Sequence, residues 1–410
     1  MRRVVVTGLG IVAPTGVNVS AAWETAISGR SAVKAISHFD TAGLPVTFAG
    51  EITDFDASGL LGAKTARQTS RFVQMASVAS SEAIADAQID ESAHGPRCGC
   101  LIGVGIGGFG DIAESALTLD RRGVSKISPL TLPYAIPNMA SGFVAIRHQL
   151  KGPNFSIASA CASGAHALGE AARLIRDGEA DMMVAGGAEA AICPLSIACF
   201  DRMRALSRRN DSPESASRPF DADRDGFVMG EGSGVLVLEE LEQAKSRGAK
   251  IYAELAGYGA SADAFHITTP GPKAEGLARS IRMALESGQI NADQVDYVNA
   301  HGTSTKTNDS MESEAIETVF GTHADSISVS STKGVTGHCL GGAGGIEAVY
   351  SVLALHENVV PPTANLNNPD PECPLDYTPL VARERRINIA ISNSCGFGGQ
   401  NACLAFRKFN

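Results

Sequence analysis

The sequence predicts an α/β protein with buried mixed sheets, and three observations carry that expectation. Apolar runs of strand length alternate with helical patterns through both halves of the chain. The runs are short and largely continuous, as strands covered on both faces are. The chain has 410 residues, 44% hydrophobic and only 19% charged, which suits a compact globule with a large core.

Taken in order, residues 4–8 read as a first strand before a glycine turn, and residues 20–28 as a helix. Gly43, Pro45 and Gly50 mark a loop segment. Residues 62–90 read as one helix with Phe72, Met75, Ala76, Val78 and Ala79 on its apolar face. On that helix Lys64, Arg67 and Arg71 stand at i, i+3 and i+7. They form one basic stripe, either a solvated face or a docking surface. Residues 100–104 are a strand feeding GVGIGGFG. Gly103, Gly105 and Gly108 approach a dinucleotide fingerprint, but the expected acidic residue and the phosphate-binding lysine are both missing. Nucleotide binding is therefore rejected.

The central stretch, FSIASACASGAHALGEAARLIRDGEADMMVAGGAE from Phe155 to Glu189, reads as strand, sharp turn, buried helix and strand. Cys161 falls where the first strand ends and the helix begins. There, unpaired N–H groups and the helix dipole favour a thiolate. The small residues around it leave room for a substrate. The other reading is one more small buried cysteine.

Residues 201–230 are polar, rich in Ser, Pro, Asp and Arg, and too long for a turn. They read as a functional surface loop, with Arg202, Arg204, Arg208 and Arg209 as a second basic cluster. Residues 235–238 resume as strand, before an acidic helix. The second half runs strand 251–257, helix 275–287, strand 297–300, helix 313–319, strand 326–330 and helix 344–356. An apolar hairpin, 387–393 with 402–406, closes it. The two halves read as a diverged duplication.

His301 in VNAHGTST and His338 in SSTKGVTGHCLGGAGG both stand at strand ends in small-residue turns. Such histidines are either structural or aimed into a site. Lys333 shares the turn of His338. Two imidazoles and an ammonium near a thiolate would make a cationic site for an enolate or oxyanion. The glycine-bracketed ISNSCGFGGQNA offers backbone N–H groups to an oxyanion hole, and Phe397 stands between Gly396 and Gly398.

Five segments, ASACASGAHALG, RPFDADRDGFVMGEG, NAHGTST, TKGVTGHCLGGAGG and GFGGQN, occur in this order. With them the chain resembles, over essentially its whole length, the elongating condensing enzymes of fatty acid synthesis, β-ketoacyl-acyl-carrier-protein synthases of the I/II type. The resemblance implies the thiolase fold, five α-β-α-β-α layers built from two pseudo-repeated halves. Residues 1–250 would carry the nucleophile and residues 251–410 the histidine pair. It further implies a homodimer, with a paralogous heterodimer as the alternative.

By the same resemblance Cys161 is the nucleophile that takes an acyl chain as a thioester. His301 and His338 donate to the malonyl thioester carbonyl, and decarboxylation gives an enolate that attacks the acyl group. The N–H groups of Cys161 and Phe397 form the oxyanion hole. Lys333, with Glu347, orients the histidines, and Asp309 matches a supporting acid. Ile106 bounds the acyl pocket, Phe397 gates it, and Thr268, Thr303 and Thr305 line the pantetheine channel. Lys64, Arg67 and Arg204 dock an acidic acyl carrier protein. No cofactor is implied, because decarboxylation supplies the driving force, and no catalytic metal. Asn299, Glu347, Ser392 and Asn393 match an optional structural monovalent-cation site. Three positions depart from the family pattern: Cys395 for an aromatic, Gln400 for Thr, and Cys339 for Leu.

Other classes are weighed against this. A discrete-subunit (type II) polyketide ketosynthase would share every catalytic residue and differ in its chain substrate. A degradative thiolase would use a second cysteine, which Cys395 superficially supplies, but it would lack NAHGTST and TKGVTGH. A non-catalytic chain-length subunit would lack Cys161. The net charge of −10 argues against nucleic acid. Nine cysteines without a CxxC pair suggest reduced thiols in the cytoplasm. No apolar run approaches the roughly 18 residues of a membrane span, and the first apolar run is too short for a signal peptide.

Overall fold

The computed structural model describes residues 2–89 and 95–409. Ten strands form one continuous sheet: β1 (Val4–Val12), β2 (Cys98–Gly103), β3 (Asn154–Phe155), β4 (Met182–Glu189), β5 (Gly232–Glu240), β6 (Ala253–Ala262), β7 (Tyr297–Asn299), β8 (Ser328–Ser330), β9 (Ile389–Gly396) and β10 (Gln400–Lys408). Their spatial order is β8-β7-β9-β10-β6-β1-β5-β4-β2-β3. Adding five to each strand of the run β3-β2-β4-β5-β1 reproduces the run β8-β7-β9-β10-β6. Within each run the third and second strands pair in parallel, as do the second and fourth, and the fifth is antiparallel to its neighbours. The two runs meet where Val5 and Val6 of β1 pair with Glu254 and Ala253 of β6.

The helices that position the site are α1 (Ala63–Gln68), α2 (Arg71–Asp86), α3 (Phe109–Arg122), α4 (Met139–His148), α5 (Ser163–Arg176), α6 (Glu275–Ser287), α7 (Lys306–Phe320) and α8 (Ala343–Glu357). Helices α5 and α8 occupy the same place in each run, between its third and fourth strands. They pack on each other and on strands of both runs. Every residue of α8 from Ala343 to Leu355 is buried, so the helix is covered on all sides, Glu347 included. Helix α2 covers β1, β5 and β4 from outside, and α6 covers β6, β10 and β9. The result is the layered α/β architecture of the thiolase fold. Among the described residues, no helix is long and apolar enough to cross a membrane.

Three sequence expectations fail, for physical reasons. The first strand does not turn after residue 8 but runs to Val12, its Gly8 and Gly10 lying against the α2 backbone. The single helix over 62–90 breaks at Thr69 and Ser70, both buried, and the end of that range at Asp90 lies outside the described residues. Arg71 accordingly leaves the basic stripe. Its guanidinium makes a bidentate pair with the buried Glu231 (2.6 and 2.7 Å) and donates to Ile52 O at 2.7 Å. Nor is segment 201–230 a surface loop through its length. Residues 216–221 and 226–231 are buried, and Arg224 is among the largest fully buried side chains. Of its basic cluster, Arg208 is tied to Asp201 and Arg209 to the Asp223 carbonyl, while Arg202 and Arg204 are exposed.

Candidate active site

A cavity of about 370 Å³ opens where the two runs meet the ends of α5 and α8. Cys161, His301, His338, Phe397, Gly396, Ile106, Thr268, Thr303, Thr305 and Arg204 all line it. Ten of the residues singled out from sequence are thus brought to one space. Others are not. Lys333 and Glu347 lie behind the histidines, Asp309 is buried in the first turn of α7, and Gly398 gives its N–H to Ile267 O at 2.8 Å while Gly399 faces the cavity. Lys64 and Arg67 are exposed on α1, outside the cavity.

Cys161 sits in a 3-10 turn, Ala160–Ala162, that leads into α5. Ala160 holds φ at +49°, a conformation that costs an L-residue roughly 1–2 kcal/mol. Ser163 stabilises the turn, accepting from Ser159 N (2.9 Å) and donating to Ala160 O (2.6 Å). The expectation of a resting thiolate is not met. Burial pushes the Cys161 thiol up to about 12, against the opposing influence of Lys333. The thiol is therefore protonated at neutral pH and must lose its proton as substrate engages.

His301 follows β7. Its backbone N–H and that of Gly302 both donate to Glu312 on α7, each at 2.8 Å, and Asn393 of β9 donates to the same carboxylate. Lys333 Nζ bonds Glu347 Oε1 and lies 3.4 Å from His301 Nδ1. That contact leaves Nε2 of His301 to carry the hydrogen toward the cavity. His338 is fixed from the other side, donating its N–H to Val228 O (2.7 Å), with Phe227 edge-on to its ring at 5.5 Å. The two imidazoles stand 5.2 Å apart and nearly perpendicular. Burial first, then Lys333, holds both far below the ordinary histidine range. The expected cationic site is thus a pair of neutral N–H donors beside a lysine whose charge Glu347 offsets.

Phe397 stands on the three-residue turn between β9 and β10, followed by Gly398 at φ +84° and Gly399 at φ +69°. It is 36% exposed and lies 6.4 Å from Phe200, which packs edge-on to Phe227. A Cβ on Gly396 would stand 2.5 Å from Ser159 O, so this hairpin closes directly on the nucleophile's turn.

Sequence reasoning missed Glu189 and Glu312, buried carboxylates that shape the loops, and named Asp309 without its role. Glu189 accepts from Gly105, Ile106, Gly107 and Gly341 N–H groups at 2.9–3.2 Å and fixes the Ile106 wall. Glu312 does the same for His301. Asp309 accepts from Phe220 N (2.9 Å) and lies 3.5 Å from Arg224, which in turn donates to the carbonyls of Thr305 and Lys306. It holds the threonine segment rather than touching the cavity. The only available signal for Glu189 and Glu312 was an acid near a glycine-rich or polar turn. Finally, Asn299 Oδ1, Ser392 Oγ, Asn393 Oδ1 and Glu347 Oε2 are buried without a hydrogen-bond partner among the described residues. An all-oxygen set of this kind suits a hard cation.

Comparison with known proteins agrees with this arrangement. A domain model described as Beta-ketoacyl synthase, N-terminal domain, matches residues 1–244, and its C-terminal counterpart matches residues 252–367. The chain is 50% identical over 409 residues to the 3-oxoacyl-[acyl-carrier-protein] synthase 2 of Synechocystis sp., covering 100% of this chain and 98% of that one. It is 50% identical over 408 residues to the protein of the same name from Coxiella burnetii, covering 99% of each. Among solved structures, a β-ketoacyl synthase from Burkholderia phymatum superposes with a TM-score of 0.93 at 37% identity, covering 100% of both chains. A type II polyketide ketosynthase, solved with its acyl-carrier protein and bound to the hexaketide, matches equally well (TM-score 0.93, 37%, 100% of both).

Proposed function

This chain belongs to the β-ketoacyl synthase family, and on that premise we propose how its residues carry out the condensation. It is a 3-oxoacyl-[acyl-carrier-protein] synthase of fatty acid biosynthesis, an acyltransferase. The observation that carries the reading is the single cavity shared by Cys161, two neutral imidazoles and the Phe397 turn. The 50% identity to proteins named 3-oxoacyl-[acyl-carrier-protein] synthase 2, against 37% to the type II polyketide ketosynthase, supports the fatty acid pathway.

In the first half-reaction Cys161 loses its proton and its sulfur attacks the acyl thioester of the carrier protein. A C–S bond forms, the carrier's C–S bond breaks, and the carrier leaves as the thiol. The Cys161 and Phe397 N–H groups hold the tetrahedral oxygen. Malonyl-carrier protein then enters past Phe397, its pantetheine along Thr268, Thr303 and Thr305. Nε2–H of His301 and an N–H of His338 donate to its thioester carbonyl. Loss of carbon dioxide leaves an enolate on those two donors. Its carbon attacks the Cys161 thioester, a C–C bond forms, the C–S bond breaks, and the Cys161 sulfur leaves and regains a proton from water. Lys333 and Glu347 fix the tautomer of His301 without touching substrate, and Asp309 acts further out, through Phe220 and Arg224. Asn299, Ser392, Asn393 and Glu347 would hold a monovalent cation, whose charge offsets the buried carboxylate.

We assign the two halves to 1–250 and 251–410, supported by the repeated strand order. An acidic acyl carrier protein would dock on Lys64, Arg67 and Arg204, the last of which stands at the cavity mouth. A second copy, or a paralogue, would cover the β3 edge, where Phe155 is exposed. We place the enzyme in the cytoplasm. The deciding experiment is intact-mass analysis after incubation with acyl-carrier proteins of graded chain length and type, chased with malonyl-carrier protein. Saturated loading on Cys161 with one two-carbon extension is expected. Preference for keto chains, or loading only with an added subunit, would transfer the chain to the polyketide class. Lys64→Glu with Arg67→Glu should raise KM for carrier-bound substrates about tenfold and leave small thioesters unchanged. Equal effects on both would remove the docking surface.

A further inference from the structure

The two N–H groups of the proposed oxyanion hole come from opposite halves of the chain. Cys161 stands on the turn before α5, and Phe397 at the tip of the β9–β10 hairpin. Their spacing is not set by any continuous element. His166, on the first turns of α5, lies between the two structures. Its Nδ1 is 2.7 Å from Ser159 Oγ, and the Asn401 backbone on β10 lies on the other side of the ring. Ser159 is the residue on which the hairpin closes at Gly396, and its own N–H is held by Ser163. Asn401 is paired with Cys395 across the hairpin and donates its side-chain amide to Asp263 at 2.7 Å. Tyr258, edge-on at 6.3 Å, keeps the imidazole in place. Burial lowers the basicity of His166, so the ring is neutral, with one lone pair and one N–H. That is the pattern needed to join a hydroxyl donor to a backbone acceptor.

We propose that His166 is a positioning residue that ties the nucleophile's turn to the Phe397 hairpin and so sets the spacing of the two oxyanion-hole donors. The inference rests on the condensing-enzyme reading above. It separates two half-reactions. Acyl transfer to Cys161 needs the hole, whereas decarboxylation of malonyl-carrier protein uses the donors of His301 and His338, which His166 does not touch.

The test uses the full chain with His166→Phe, which keeps a ring and removes the Ser159 bond and the ring's polarity toward Asn401, together with His166→Asn and Ser159→Ala. Acylation of Cys161 by acyl-carrier protein is followed by time-resolved intact mass, and decarboxylation by carbon dioxide release. His166→Phe should slow acylation roughly 10- to 100-fold, short of the loss of a whole hole donor, with decarboxylation within about twofold. Asn, which keeps an acceptor near the Nδ1 position, should recover part of the loss. Ser159→Ala should show the same split, more weakly, and carries the test if the Phe variant does not fold. Equal loss of both half-reactions, or loss of neither, overturns the proposal. A wild-type chain that neither acylates nor decarboxylates overturns the functional reading, and the proposal with it.

Discussion

The turn that enters α5 and the turn that enters α8 occupy the same place in the two runs of strands, and they are built alike. Each begins with a residue at positive φ, Ala160 at +49° and Leu340 at +46°, and each passes through one 3-10 turn into a central helix. At the position of Cys161 the second turn has Gly341. There a Cβ would stand 2.2 Å from Gly105 N and 2.8 Å from Glu189 Oε2. One turn opens onto the cavity and bears the nucleophile. The other is packed against the loop that carries Ile106, and has no room for a side chain. A strained helix entrance is therefore a shared scaffold device, and chemistry appears only at the copy with free space in front of it. In the second half the reactive group moves three residues upstream, to His338.

The largest test of this contrast is Cys161→Gly, which gives the first turn the residue of the second. Acyl loading should fall on the order of 10³-fold or more, read by intact mass. Persistent loading would mean that the nucleophile lies elsewhere. Next, Gly341→Ala should destabilise the protein by about 3 kcal/mol, since the Gly105 backbone and the Glu189 carboxylate must both shift. Chemical denaturation measures this, and an unchanged midpoint would show that the second turn is not close-packed. A smaller effect sharpens the account of the first turn. Because burial raises the Cys161 thiol to about 12, its alkylation by iodoacetamide should rise about tenfold per pH unit through neutrality and past the ordinary thiol pKa, roughly 8.5. A plateau below that value would place a thiolate in the resting site. The smallest effect is Ala160→Gly, which relieves a positive φ and should stabilise by roughly 1 kcal/mol. The same exchange at Leu340 empties a buried side chain and should be net destabilising, so a common sign would break the comparison.

Local signals carried much of the sequence reading. The strand–turn–helix around Cys161 and the strand-end positions of His301 and His338 depend on periodicity and small residues, which neighbours in sequence reveal. What the sequence concealed depends on partners far along the chain. Arg71 looks like part of an exposed stripe until Glu231, 160 residues away, draws it inward. Residues 216–231 look solvated because they are polar, yet Arg218, Asp221 and Arg224 satisfy one another and nearby backbone in the interior. Glu312 and Glu189 give no periodic signal, since each serves a loop on another element. The protonation of the site was misjudged for the same reason. The helix dipole is local, whereas the burial that outweighs it belongs to the whole fold.

The strand order has a consequence for synthesis. β1, apolar and buried along its whole length, pairs with β5 (Val5 opposite Glu239) and only briefly with β6. At ribosomal speeds, the strand waits on the order of 10–50 s for its main partner to be made. During that interval VVVTGLGIV is an unpaired hydrophobic edge. The nascent chain therefore carries an aggregation hazard in β1 until its partner emerges, and β1 should become resistant to proteolysis only after Glu240 has left the exit tunnel.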